Sequence, residues 1–274
     1  MSAALRRTVL RQPRAAGEPR GRGWLWAVLG GLLGTLLALT LWAPAHWLAL
    51  ALASATGGQL QLINARGTVW NGSAAVALSS GAGGADALSL PGRLNWRLRP
   101  RIDGVGGTLE LPCCANTPMG FAVQRAEGGA TLALQDSATR WPAALLSGLG
   151  APWNTLRLEG TLDLRTQGLS LRFGQHQLAI GGAATLDAID IASSLSTLRP
   201  LGTYRLAVAG GAAPSVLLTT QAGPLQLAGN GAWNGVALRF NGEASAAPGS
   251  EDVLANLLNI IGRRQGARSI ITLG

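Results

Sequence analysis

The chain has 274 residues, 47% of them hydrophobic and only 13% charged, with 39 glycines and a net charge of +9. All 22 basic residues are arginine, yet six of them (Arg6, Arg7, Arg11, Arg14, Arg20 and Arg22) precede Trp24 and face only Glu18, while the others are spread through the chain without a basic block. That distribution argues against a nucleic-acid surface, and the length leaves room for one ordinary domain beyond a membrane segment.

Residues 1–23 read as a basic cytoplasmic tail. Residues 24–43, WLWAVLGGLLGTLLALTLWA, hold no charge, and as a helix rising about 1.5 Å per residue they span roughly the 30 Å of a hydrocarbon core. Trp24 and Trp26 at one end, and Trp42 and Trp47 at the other, stand where amphipathic rings prefer the headgroup level. The arginine excess before Trp24 predicts a cytoplasmic N-terminus, and the chain reads as a single-pass inner-membrane protein with a periplasmic remainder. A cleavable signal is the rival, because Ala43-Pro44-Ala45 and Ala53-Ser54-Ala55 offer small-residue sites. The long apolar run, the long tail and the bracketing tryptophans favour a retained anchor. Gly30 and Gly34 form a GxxxG pair that suits helix pairing in lipid, against the plainer reading that glycine is common in such helices and abundant in this chain. Residues 44–58 read as a short helix opened by Pro44 and a linker ending at Thr56-Gly57-Gly58, lying at the periplasmic membrane surface.

From residue 59 to 274 the pattern becomes short period-two alternation cut by glycines, as in half-buried antiparallel strands. Strands are expected around Thr108–Leu111, Thr131–Leu134, Leu156–Leu158, Thr161–Arg165, Leu169–Phe173, Tyr204–Val208, Leu225–Leu227 and Val236–Phe240. Two helices interrupt them. One runs from Trp141 to Leu149; the other follows Ser250 as N-cap, with Glu251 and Asp252 in its first turn, an apolar stripe of Leu254, Leu257, Leu258 and Ile261, and Arg263 and Arg264 after it. A closing strand is expected over Ile270–Leu273. The fold class is mainly β, an antiparallel meander forming a curved sheet or flattened sandwich.

Chemistry is hard to assemble. His46 and His176 are the two histidines, so neither a histidine-based triad nor a multi-histidine metal site can be built. The acids are scattered, and no glycine loop has the strand and helix context of a phosphate site. No cofactor and no metal are implied. Cys113 and Cys114 are adjacent and, in an oxidising compartment, have three fates: two free thiols, an intermolecular bridge, or a vicinal disulfide that pins a turn, which is the preferred reading.

Several segments, taken in order, resemble the type II secretion system protein N family: Ala65-Arg66-Gly67-Thr68-Val69-Trp70-Asn71-Gly72, Trp96–Pro100, Gly150–Leu156 with Pro152 and Trp153, Pro200–Leu206 with Gly202 and Tyr204, Gly223–Leu225, Gly229–Trp233 and Leu257–Arg264. The resemblance implies a non-enzymatic accessory part of an export machine, touching inner-membrane platform proteins and membrane lipid, with the secretin as a further candidate. It implies no catalytic residue. Physically, Trp70, Trp96, Trp153 and Trp233 read as large buried anchors at strand ends. Trp70-Asn71-Gly72 and Trp233-Asn234-Gly235 look like two related hairpins turning at Asn-Gly. The alternative is a membrane-anchored lipid-binding or lipid-carrier protein, since a one-sided apolar meander could form a groove. A periplasmic enzyme is set aside for want of a polar constellation.

Overall fold

In the computed structural model, which describes residues 23–81, 87–174 and 177–274, the long apolar segment forms helix α1 (Gly23–Leu41). Its 19 residues bury nothing and are long and apolar enough to cross a membrane. The six N-terminal arginines lie outside the described residues. The chain divides into two compact units, Met1–Trp42 and Ala43–Gly274, and the sheet and its helices belong to the second.

After Pro44, helix α2 (Ala45–Ala55) leads into the first strands: β1 (Leu60–Gly67), β2 (Asn71–Leu78), β3 (Leu88–Ser89), β4 (Leu94–Arg101), β5 (Gly104–Glu110), β6 (Met119–Ala126), β7 (Gly129–Leu134) and β8 (Ser137–Pro142). A 3-10 helix (Ala143–Leu149) and helix α3 (Trp153–Leu156) follow. Then come β9 (Leu158–Phe173), β10 (Leu178–Ser193), β11 (Gly202–Ala209), β12 (Ser215–Ala222), β13 (Leu225–Trp233), β14 (Leu238–Ala246), α4 (Glu251–Ile261), β15 (Arg263–Gln265) and β16 (Arg268–Leu273). The strands form one open, curved antiparallel sheet in the order β1-β2-β4-β5-β6-β7-β9-β10-β11-β12-β13-β14-β16-β15, with β3 beside β2 and β8 beside β9. It is the expected meander, as a sheet rather than a sandwich.

Four local differences have physical causes. Thr161–Arg165 and Leu169–Phe173 belong to the single strand β9, because Gly168, at φ +56°, carries the chain through a bulge opposite Gly181–Ala183 instead of turning it. Leu156–Leu158 is no strand: α3 ends at Leu156 and Arg157 turns the chain in the left-handed region at φ +42°. Trp141 and Pro142 finish β8, so the helical turn there starts only at Ala143. Arg263 and Arg264 follow the last turn of α4 as expected, but do so as part of a strand, β15, which pairs with β16.

Two clusters of buried side chains cover the apolar face. One gathers Ala45 of α2 with Leu62, Val76, Trp96, Leu111 and Leu145. The other gathers Leu254 and Leu258 of α4 with Leu162, Ile191, Tyr204 and Leu225. Trp141 packs against both clusters. The α4 stripe is as expected, with Leu254, Leu257 and Leu258 buried, but Ser250 makes no side-chain bond at its N-cap.

Strand alternation sorts the connections into two edges. The turns β1–β2, β4–β5, β6–β7, β9–β10, β11–β12 and β13–β14 share one edge; the longer connections carrying the 3-10 helix, α3 and α4 share the other. Helix α2 runs between the edges: Pro44 bridges to Thr68 at the β1–β2 turn, while Gly58, past its far end, bonds Ser79 beyond the end of β2.

Candidate functional site

The segment containing Gly67, Trp70 and Gly72 fastens the chain where it enters the domain. Trp96, 2% exposed, donates its indole N–H to the carbonyls of Val69 and Thr68 at 3.0 and 3.3 Å. Val69 N donates to the Ala43 carbonyl at 2.8 Å, and Leu98 N to that of Trp70 at 2.6 Å. Gly67 has φ +87°, and a Cβ there would stand 2.5 Å from the Asn71 carbonyl oxygen; a Cβ at Gly72 would stand 2.5 Å from the Trp96 ring. Both positions therefore need glycine, one for conformation and one for close approach. Asn71 and Gly72 lie within β2 and pair with Arg97 and Trp96, so they do not form the expected turn centre; Thr68–Trp70 do. Beside them is an open polar cleft lined by Arg66, Asn71, Ser73, Asn95, Arg97 and Glu110.

The second Trp-Asn-Gly does different work. Asn234 accepts from Val236 N and Ala237 N through its side chain, and Gly235 takes φ +96°, so here the Asn-Gly pair does turn a hairpin. Trp233 donates to the Leu178 carbonyl at 2.6 Å, and Leu178 N to that of Gly235 at 2.8 Å, tying the β13–β14 turn to the start of β10 across two intervening strands. Of the four tryptophans only Trp96 is fully buried; Trp153, on the short helix behind Pro152, is 37% exposed and anchors little, and Trp70 and Trp233 are half-buried.

Gly202 and Tyr204 meet in the α4 cluster. Tyr204 donates to the Leu225 carbonyl at 3.1 Å, and a Cβ on Gly202 would lie 2.6 Å from the phenol oxygen. Burial holds that phenol far above its ordinary range, so it is a neutral hydrogen-bond donor rather than a base.

Cys113 and Cys114 are joined to each other in the loop between β5 and β6. Cys113 is exposed, Cys114 is buried in the α2 cluster, and its carbonyl accepts from Arg140 N at 2.7 Å. Next to it runs a feature that no local motif announces: Arg140, Asp163, Asp187 and Arg205 stand directly opposite one another across β8, β9, β10 and β11. Arg140 and Asp163 pair at 2.7 and 2.8 Å, and Arg205 and Asp187 at 2.6 and 3.0 Å. These bonds hold both carboxyls below their usual range, against partial burial that pushes them up. Such acids stay ionised at neutral pH and cannot serve as proton donors. Only the strand register reveals the row.

Among the described residues no three of His, Cys, Asp or Glu gather as a metal site. His46 is exposed on α2, and His176 lies outside the described residues. In α1, Trp24 and Trp26 are exposed and Gly30 and Gly34 open onto free space; Trp42 follows the helix, and Trp47 is exposed on α2.

The family profile described as "Type II secretion system (T2SS), protein N" matches residues 58–271. No curated protein and no solved structure matches the chain.

Proposed function

From the premise that the chain belongs to the type II secretion system protein N family, we propose that it is a non-enzymatic accessory component of that machine, anchored in the inner membrane through residues 24–43. The N-terminal arginines remain in the cytoplasm and the β domain stands in the periplasm. There it contacts inner-membrane platform proteins and the secretin. The single observation carrying this reading is the family match across nearly the whole β domain, directly after a helix long and apolar enough to span a bilayer. Trp42 after that helix, and Trp47 in the first turn of α2, supply the aromatic belt at the far interface. The Gly30–Gly34 face is the proposed contact within the bilayer, where small residues let helix backbones approach.

Cross-linking in living cells, followed by purification of the tagged full chain, tests this. Platform subunits and secretin should be recovered, and Gly34→Ile should reduce the platform fraction. Recovery of neither, with the chain intact in the membrane fraction, contradicts the proposal.

The lipid-binding reading keeps one specific support. Val105, Val123, Leu132, Leu171 and Ile180 stand opposite one another across five strands, outside both buried clusters. Such a strip could receive an acyl chain, and phospholipid retained through purification and lost in Leu132→Asp would favour it.

A further inference from the structure

The edge at which the chain enters the domain differs from the opposite one in two ways. First, its turns carry exposed apolar side chains where polar residues are the rule: Ile102 at the β4–β5 tip is fully exposed, Val236 at the β13–β14 tip is 70% exposed, and Phe173 and Leu273 at the strand ends there are about half exposed. Glycine and asparagine would have made these turns at no cost in exposed apolar surface. Secondly, arginines crowd the same edge: Arg66, Arg99, Arg101, Arg125, Arg172 and Arg239, all exposed, against Asp103 and Glu127. At the opposite edge Glu159, Asp190, Glu251 and Asp252 stand among the arginines.

We infer that this edge rests on the bilayer that holds the anchor, its apolar tips entering the headgroup layer and its arginines meeting anionic phospholipid. The occupant follows from continuity and charge. Ala43, the first residue of the domain, is bonded to Val69 on this edge, so the membrane segment joins the domain here. Leu98 of β4 is bonded to the Trp70 carbonyl of the entry loop, and β4 runs three positions further, to Arg101. At about 3.3 Å per residue the Ile102 tip projects roughly 10 Å past that level. When this edge turns to the membrane, the tips are therefore what reach it. Exposed apolar residues set among arginines are the chemistry of an interfacial surface, the first entering the boundary layer and the second drawn to negative headgroups.

The inference rests on the anchored reading, and one experiment separates their failures. The full chain, with Cys113 and Cys114 left oxidised, carries an environment-sensitive fluorophore at Ile102→Cys, Val236→Cys, Asp252→Cys on the opposite edge or Leu33→Cys inside α1. It is placed in nanodiscs of phosphatidylcholine and phosphatidylglycerol containing nitroxide lipids. Quenching is expected at 33, 102 and 236 and not at 252. At 102 and 236 it should weaken when phosphatidylglycerol is omitted, in Arg101→Gln/Arg172→Gln/Arg239→Gln, and at about 1 M salt, where the screening length shrinks to about 3 Å. Quenching at 33 with none at 102 and 236 overturns the edge contact alone. No quenching at 33 overturns the anchor and this inference with it. Quenching at the tips that ignores lipid charge, arginines and salt overturns the assignment to anionic headgroups.

Discussion

Helices α2 and α4 have the same length, 11 residues each, and each covers part of one sheet, yet they are held by different means. α4 presents Leu254, Leu257 and Leu258 inward and a mostly polar outer face of Glu251, Asp252, Asn256 and Asn259, broken by Val253 and Ile260 at 43% and 38% exposure, still close to the division of an amphipathic helix. α2 packs Leu48, Ala49 and Leu52 inward but also leaves Trp47 and Leu50 outward, with Leu50 66% exposed. A leucine stripe suffices to seat α4. α2 lacks that contrast between faces, and its entry point is fixed by the hydrogen bond from Val69 N to the Ala43 carbonyl and by the buried Trp96 behind it. A helix that serves only the core can be polar outside; one beside a membrane anchor need not be.

That contrast can be broken at its strongest point first. Trp96→Ala should cost about 3–5 kcal/mol, combining cavity and transfer terms with loss of the indole donor to the entry loop. Urea unfolding of the full chain in detergent measures it, and hydrogen exchange should show the loss concentrated in α2, β1 and β2. Leu258→Ala, its counterpart on the inner face of α4, should cost about 2–5 kcal/mol and loosen α4, β14 and β16 instead. Equal loosening of both ends by either variant would mean that Trp141 couples the clusters into one core.

Smaller effects sharpen the comparison. Gly72→Ala should cost about 1–3 kcal/mol by crowding the Trp96 ring and the Arg66 carbonyl, while Tyr204→Phe removes one buried hydrogen bond and should cost about 1 kcal/mol. Smallest are the effects of the pairs Arg140–Asp163 and Arg205–Asp187, since both arginines face solvent and exposed ion pairs add little. Their sign with pH is definite. Both carboxyls are depressed in the folded chain, so their contribution is present above the unfolded carboxyl range, near pH 4, and is lost as pH falls through the lower folded values. Melting temperature between pH 7 and 3 should fall less steeply in Asp163→Asn/Asp187→Asn than in the unaltered chain.

The meander, the α4 stripe and the apolar helix were legible in the sequence because each is a periodic pattern within a few residues. The features that organise the candidate site were not, because they depend on register. Trp70-Asn71-Gly72 and Trp233-Asn234-Gly235 are identical locally, yet the first enters a strand, since the turn closes one step earlier at Gly67, and the second makes a hairpin. The row Arg140–Asp163–Asp187–Arg205 is four scattered charges until β8 to β11 are aligned. Likewise the apolar tips Ile102 and Val236 share an edge only once strand order is known.

Everything proposed for the β domain presumes that it lies across the membrane from the arginine tail. The most direct measurement is a pair of fusions after Gly274 of the full chain, one to a reporter active only in the periplasm and one to a reporter active only in the cytoplasm, with the N-terminus of the membrane-bound product sequenced. The account predicts activity of the periplasmic fusion alone, from a product that retains the residues before Trp24. Activity of the cytoplasmic fusion, or a product beginning near residue 46 or 56, would contradict it.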